Sequence, residues 1–228
     1  QRYNKFQTNI VKNRGMYSPL FAVCGDSIQN SLRARAVFVK MRKKNCKNIS
    51  QKLRQKTSSA RPEAEFLFLV GKKSQAGGKI MWQGKKVLLR TVERRDVETF
   101  RQWLNDPEVN QYLLAYMPLS EIAEEKWLEK IAQSNTQLVM AIENYDLNRP
   151  RQLIGNCGLH DISWKDRAAT FGIFIGNQSF WSNGYGTEAA SLLFRHGFEQ
   201  LNLHRINSSV IGFNERSLKM HKKLGFQI

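Results

Sequence analysis

A glycine turn, Trp181-Ser182-Asn183-Gly184-Tyr185-Gly186-Thr187, connects a strand-like run to a helix-like run. The run before it, 168–175, consists of β-branched, aromatic and small residues, which is typical of a buried strand. The run after it, 187–200, is expected to form a helix. A strand that passes through a tight turn into a helix is typical of layered structures, so we expect a mixed α/β domain.

The same alternation of short strands and helices extends from Lys85 to the last residue. Asp106-Pro107 is expected to end the first helix, Ser120 to cap the second, and Gly225 to end the last. The expected strands are 86–91, 137–142, 152–159, 168–175 and 205–211, and the expected helices are 96–105, one that starts after 120, 187–200 and 214–224.

The first eighty residues have a different composition. Residues 1–80 carry a net charge of +15, whereas residues 81–228 carry +2 of the total of +17. Residues 1–80 show one strand-like patch, 66–70, and no sustained periodicity. Three interpretations stay open: upstream sequence translated ahead of a natural start at Met81, a disordered tail, or a basic arm that binds RNA or an acidic partner. We therefore divide the chain into 1–80 and a folded domain, 81–228.

Composition argues against several other classes. No apolar run approaches the roughly 20 residues of a membrane helix, and no signal-peptide pattern is present. The three cysteines and four histidines lack the spacing of disulfide frameworks or metal sites, so no metal and a reducing, cytoplasmic setting are expected. Because the excess positive charge lies in residues 1–80, the folded domain is not expected to bind nucleic acid.

The glycine turn has chemistry of its own. Gly184 and Gly186 let the backbone approach a ligand closely, and the amides at the start of the following helix can bind phosphate oxygens. No Gly-Lys-Ser/Thr follows, and the pattern GxGxxG is incomplete, so neither a Walker loop nor a dinucleotide fingerprint is present. Taken alone, the turn is also compatible with an ordinary helix start.

The turn and the segment 214–226, Asn-Glu-Arg-Ser-Leu-Lys-Met-His-Lys-Lys-Leu-Gly-Phe, together resemble the GNAT superfamily of acetyl-CoA-dependent N-acetyltransferases. The branch that they resemble most contains the ribosomal-protein N-terminal acetyltransferases, which are bacterial enzymes. The resemblance extends from about Lys85 to Ile228. It implies a GNAT fold and acetyl-CoA as co-substrate, with no metal.

The resemblance also implies where acetyl-CoA binds. The diphosphate would lie on the loop amides, the pantetheine amides would pair with the end of the preceding strand, and an asparagine would lie beside the cofactor. The residues assigned to this site are Phe174, Ile175, Ser182, Asn183, Gly184, Tyr185, Gly186, Thr187 and Asn214. Ser182 and Asn183 replace a Gly-Lys that is common in the family, so the loop lacks its lysine.

The catalytic groups depart from the family pattern. Thr170 occupies the position of a glutamate base, and threonine cannot accept a proton near neutral pH. Asp161, acting through water, and the adjacent His160 are the nearest alternatives. His221 occupies the position of a tyrosine that protonates the leaving thiolate. Each of these side chains also has a structural interpretation, as a solvated turn carboxylate or a packed histidine.

The acceptor is expected to be a primary amine, first of all the N-terminal amine of a protein such as a ribosomal protein. Polyamines, aminoglycosides and other small amines are alternatives, and a basic ribosome-associated protein with a vestigial cofactor site is a non-enzyme alternative. Tyr112 and Tyr116 are expected to border the acceptor pocket, and a homodimer stays open. By resemblance the domain lacks its last two strands, which would leave 205–211 as an open sheet edge.

Overall fold

The computed structural model describes residues 36–43, 80–113 and 117–227. Its strands are β1 (Ala36–Arg42), β2 (Ile80–Gln83), β3 (Val87–Thr91), β4 (Leu138–Asn144), β5 (Leu153–Ser163), β6 (Ala168–Ile175) and β7 (Arg205–Ile211). Its helices are α1 (Arg94–Asn105), α2 (Pro107–Asn110), α3 (Glu121–Gln133), α4 (Tyr185–Glu199) and α5 (Glu215–Lys223), with a 3-10 turn at Gln178–Phe180. The mixed α/β fold that the sequence predicts is confirmed.

Local sequence signals account for most helix boundaries. The Ser120 side chain accepts a hydrogen bond from the Ala123 N–H at 3.2 Å, as expected for the α3 cap. Gly225 follows α5 with φ +87°, a conformation that favours glycine. Asp106 ends α1, but its side chain also caps the short α2, which the sequence did not predict.

The seven strands form one sheet in the order β1-β7-β6-β5-β4-β3-β2. All neighbours are antiparallel except β6 and β7, which are parallel. Phe171 and Phe174, three residues apart on β6, point to opposite faces and belong to different apolar clusters. The Phe174 cluster includes residues of α1 and α3, and the Phe171 cluster includes residues of α4 and those around α5.

The prediction of an open edge at β7 is wrong. β1 pairs with the whole of β7, from Ala36 opposite Ile211 to Arg42 opposite Arg205. On its other side, the backbone of β1 exchanges two hydrogen bonds with Gln227. Val39 and Met41 of β1 are buried in the core, so the strand is held by apolar contacts as well as by the sheet.

Part of the 1–80 segment therefore belongs to the sheet. A short run with apolar residues at alternate positions, the half-buried Val37 and the buried Val39 and Met41, was overlooked because the surrounding composition is basic and polar. The strand-like patch at 66–70 and the remaining residues before Ile80 lie outside the described residues. Among the described residues, no helix is long and apolar enough to cross a membrane.

Candidate active site

The two parallel strands separate at their carboxyl ends. Pairing of β6 with β7 runs from Ala168 opposite Arg205 to Phe171 opposite Ser208 and stops there. β6 nevertheless continues to Ile175 and stays paired with β5 over this length. A wedge-shaped gap consequently opens between the ends of β6 and β7, with Phe171 and Ser208 at its apex.

The phase of the β5–β6 ladder determines which backbone groups of β6 face the gap. The Gly176 N–H donates to the Ile154 carbonyl at 2.9 Å. Because antiparallel hydrogen-bonded pairs recur at every second residue, the N–H and C=O of Phe174 point to β5. Those of Ile173 and Ile175 point into the gap, where β7 supplies no partner.

The phase of this ladder also gives the orientation of Phe174, one of the residues expected at the cofactor. Phe174, which the sequence assigned to the pantetheine, has its backbone paired with β5 and its ring packed 5.8 Å from the Phe100 ring. The backbone groups that face the gap are those of Ile173 and Ile175, and the contact of Ile175 with the pantetheine stays a prediction. The carbonyl of Ile175 already accepts a hydrogen bond from Trp181 Nε1 at 2.7 Å.

The glycine turn leads directly into α4. Ser182 and Gly184 have φ of +61° and +87°, and Gly184 is the N-cap of this 15-residue helix. A Cβ atom added at Gly184 would meet no atom within 4 Å, so the turn is open on that side. Exposed amides at the positive end of a long helix are suited to an anion.

The side chains of the turn have different surroundings. Ser182 and Asn183 are exposed, Thr187 is half-buried, and the Tyr185 ring lies in the core with its hydroxyl 3.3 Å from Asp146 Oδ2. At Gly186, an added Cβ would lie 3.4 Å from the sulfur of Met220, an ordinary van der Waals contact, so α5 passes beside this glycine. The turn can therefore bind a ligand through its backbone.

Asn214 caps α5. Its side-chain oxygen accepts a hydrogen bond from the Ser217 N–H at 3.0 Å. This is a structural role for the oxygen of the amide, and it sets the start of α5 at the β7 side of the gap.

An aromatic and cationic cluster joins the two sides of the gap. Tyr112, which follows α2, lies 6.0 Å from the Trp181 ring and 6.1 Å from the Phe213 ring. The guanidinium of Arg216 lies over both Trp181 and Tyr112, at 4.1 and 4.9 Å from the ring centroids. Tyr112 thus lies beside the turn, and its role at the acceptor stays a prediction. Tyr116 lies outside the described residues.

His221 reaches the apex of the gap through Ser208. Its Nε2 lies 2.9 Å from the Ser208 hydroxyl, which lies 3.1 Å from the Phe171 carbonyl. Its Nδ1 lies 2.8 Å from the Ser217 carbonyl, which can only accept, so Nδ1 carries a hydrogen. Burial lowers the pKa of His221 below its usual 6.5, so the ring is neutral at pH 7.

The hydrogen bonds that join His221, Ser208 and the Phe171 carbonyl have two arrangements, one for each protonation state of His221. With neutral His221, the Ser208 hydroxyl must donate to Nε2 and cannot donate to the Phe171 carbonyl. With a protonated ring, Nε2 donates to Ser208, and the hydroxyl turns to the carbonyl. His221 and Ser208 can therefore take up and release a proton at the apex without any movement of the backbone.

The two side chains predicted as possible bases, His160 and Asp161, lie in different surroundings. His160 lies directly opposite Thr170 on the same face, and burial lowers its pKa to about 4. Asp161 is exposed, with φ +49°, two residues past Leu159, the register partner of Phe171 at the apex. At the rise of a strand it lies roughly 7 Å beyond the apex, on the side where β6 and β7 are still paired. This position gives no support to Asp161 as a base.

Two residues of the site were missed. Ser208 occupies an inward position of β7 between Ile206 and Val210, and a polar residue at such a position is a signal that could have been used. Arg216 carries no such signal, because its contact with Trp181 depends on how α5 crosses the turn.

Comparison with known proteins agrees with this geometry. The acetyltransferase (GNAT) domain family matches residues 86–227. The N-acetyltransferase p20 of Bacillus licheniformis, itself uncharacterised, is 27% identical over 150 residues, which is 63% of this chain and 80% of that protein. Spermidine N(1)-acetyltransferase of Escherichia coli K12 is 28% identical over 147 residues, 62% of this chain and 73% of that enzyme.

The fold has relatives among solved structures. Spermidine N-acetyltransferase of Vibrio cholerae, solved with CoA and spermine, has a TM-score of 0.56 and 23% identity, and the match covers 63% of this chain and 82% of that one. At this identity the likeness concerns the fold alone. GNAT enzymes use acetyl-CoA, and the open glycine turn and the unpaired edge of β6 fit such a donor. The match over 86–227 establishes that the chain belongs to the GNAT family of acetyl-CoA-dependent N-acetyltransferases.

Proposed function

We propose that this enzyme acetylates an α-amine, such as the N-terminal amine of a peptide or protein, by direct attack within a ternary complex. The observation that carries the proposal is the lack of a basic carboxylate at Thr170. The side chain opposite Thr170 is His160, whose pKa of about 4 makes it a weak base. The acceptor must therefore be substantially neutral before it binds.

Amine pKa values then separate the candidate acceptors. An α-amine has a pKa of about 8, so about a quarter of it is neutral at pH 7.5. A lysine-type alkyl amine has a pKa of about 10.4, so only about one molecule in a thousand is neutral. Without a strong base, the reactive neutral fraction of an α-amine exceeds that of an alkyl amine by about two orders of magnitude.

A polyamine differs from a peptide N-terminus in charge as well as in amine pKa, since it carries several positive charges and a peptide N-terminus carries at most one on its amine. The relatives that act on spermidine keep a polyamine as the second candidate.

The reaction requires one bond exchange and one proton transfer. The amine nitrogen forms a bond to the acetyl carbon, the bond from that carbon to sulfur breaks, and the proton lost by nitrogen ends on sulfur. The N–H of Ile173 faces the gap and can donate to the carbonyl oxygen as negative charge develops. Ser208 and neutral His221 take up the proton and return it to the sulfur.

The test compares acceptors at two pH values. We expect kcat/KM at pH 7 for a Ser-initiated tripeptide to exceed that for spermidine by more than about tenfold, with a smaller ratio at pH 9.5, where more of the polyamine is neutral. The same tripeptide with its N-terminus acetylated is the matched control and should not react. A preference for spermidine at pH 7 would overturn the proposal.

A further inference from the structure

We infer that Arg216 holds the phosphate groups of the acyl-CoA donor beside the glycine turn, and so supplies the cation that the turn itself lacks. The inference rests on the use of acetyl-CoA and is independent of which amine accepts the acetyl group. It assigns to α5 a task that the sequence left to the turn alone.

The turn has amides but no cationic side chain. Between Trp181 and Glu188, no residue is Lys or Arg, and the exposed positions are Ser182, Asn183 and Gly184. Backbone amides and the helix dipole attract an anion, but a diphosphate carries two charges. A neighbouring cation would stabilise this charge further.

Arg216 lies next to the turn in a fixed orientation. Its guanidinium is 4.1 Å from the ring of Trp181, the residue that opens the turn, and 4.9 Å from the ring of Tyr112. Trp181 is itself anchored by its hydrogen bond to the Ile175 carbonyl. Contact with two aromatic rings restrains a planar guanidinium and leaves the N–H groups at its edge available.

The charge of Arg216 is not used elsewhere in the part of the chain that the structure describes. There, its guanidinium makes no ion pair or hydrogen bond, and its contacts are the two rings. The adjacent carboxylate, Glu215, pairs instead with Lys219 at 3.3 Å. An exposed guanidinium that is held in place without a carboxylate partner is suited to a phosphate, which it can bind through two N–H groups.

The decisive experiment uses donors that differ in their phosphates. Acetyl-CoA carries a diphosphate and a 3′-phosphate, acetyl-dephospho-CoA keeps only the diphosphate, and S-acetylpantetheine has neither. Calorimetry gives Kd for the two CoA donors, and initial rates give KM for S-acetylpantetheine. The 228-residue chain, its Arg216→Gln variant and, as a matched control, Lys222→Gln on the exposed side of α5 are compared.

We expect Arg216→Gln to raise the Kd of acetyl-CoA by about 10- to 100-fold, the effect of losing one charge-assisted hydrogen bond. The KM of S-acetylpantetheine should stay within about twofold, and Lys222→Gln should behave as wild type. If Arg216→Gln also binds acetyl-dephospho-CoA more weakly than wild type does, Arg216 is assigned to the diphosphate. If the two proteins bind acetyl-dephospho-CoA equally well, it is assigned to the 3′-phosphate.

Other results would overturn the inference. Equal weakening of all three donors would mean that Arg216 only supports the aromatic cluster. A change confined to the KM of the amine would place the cation on the acceptor side. Tight binding of acetyl-CoA by wild type and Arg216→Gln alike would refute this inference alone, whereas no binding by wild type would refute the enzymatic function with it.

Discussion

The Nε2 atom of His221 lies 2.9 Å from the hydroxyl of Ser208, at the last paired position before β6 and β7 separate. This contact joins a buried histidine on α5 to the apex of the gap where the thioester would lie. In the proposed reaction this contact would connect the helix to the thioester, which packing against Phe171 and Phe226 alone would not.

Replacing His221 tests the proton path. We expect His221→Phe to lower kcat by about 10- to 100-fold, since a thiolate is a good leaving group and general acid–base help is moderate. The Kd of acetyl-CoA should change little. Because the lowered pKa makes protonated His221 accumulate only below about pH 6.5, the wild-type acidic limb should lie below that value and vanish in the variant.

The matched control is His196→Phe, which alters a half-buried histidine that stacks on Trp82, away from the gap. It should keep both turnover and the acidic limb. Wild-type turnover with an unchanged pH profile in His221→Phe would show that His221 only packs, and proton transfer would then require water.

Gly184 and Gly225 form a natural pair for testing the turn. Both have φ +87°, so alanine should cost each of them a similar backbone strain of about 1–2 kcal/mol. Only at Gly184 does the added methyl point into the open side of the turn. We expect Gly184→Ala to weaken acetyl-CoA binding at least tenfold and Gly225→Ala to leave it unchanged, measured by calorimetry. Equal Kd values would argue against binding at the turn.

The contribution of β1 to the fold can be tested with two residues of opposite exposure. Met41 is fully buried and Phe38 is 78% exposed. We expect Met41→Asp to lower the free energy of unfolding by at least about 3 kcal/mol, because it buries a charge in the core. Phe38→Asp should change it by no more than about 0.5 kcal/mol. Urea unfolding measures both, and equal midpoints would mean that β1 is not docked on β7.

Glu124 is expected to destabilise the fold at high pH. Its carboxylate is buried, has no hydrogen-bond partner among the described residues, and has a pKa raised by burial to about 7. Because the pKa of Glu124 is higher in the folded chain than in the unfolded chain, its contribution to the free energy of unfolding is fully present below about pH 4.5. That contribution is lost as the pH rises through 7. Glu124→Gln should thus be more stable than wild type by about 1–3 kcal/mol at pH 8 and equally stable near pH 4.5.

Urea unfolding at both pH values measures this difference, and Glu129→Gln, at an exposed position of the same helix, is the control. A difference between Glu124→Gln and wild type that does not depend on pH would contradict the proposed ionisation.

Sequence patterns predicted much of the fold, and they place the candidate site at the glycine turn. Ser120 and Gly225 indicated helix ends correctly because capping depends on neighbouring residues alone. The edge strand β1 was missed because its partner β7 is more than 160 residues away, and a short strand in a basic segment has weak local signals. The sequence did not reveal that the backbone of Ile173, and not that of Phe174, faces the gap, because the phase of a strand depends on its neighbour.

The roles of side chains were predicted less completely. His221 was found from its position in the motif, but its partner Ser208 lies on another element. Arg216 was missed because its aromatic contacts are formed only when α5 crosses the turn. Contacts between distant elements define this site, and they are set by tertiary packing.

The most direct test of the central claim measures thiol release from acetyl-CoA with the 228-residue chain, with and without a tripeptide that has a free α-amine. We expect release only when the amine is present, an equal amount of N-acetylated peptide by mass spectrometry, and loss of both in Gly184→Val, whose side chain would occupy the open side of the turn. Amine-independent release, or undiminished transfer by Gly184→Val, would contradict direct acetyl transfer at the gap between β6 and β7.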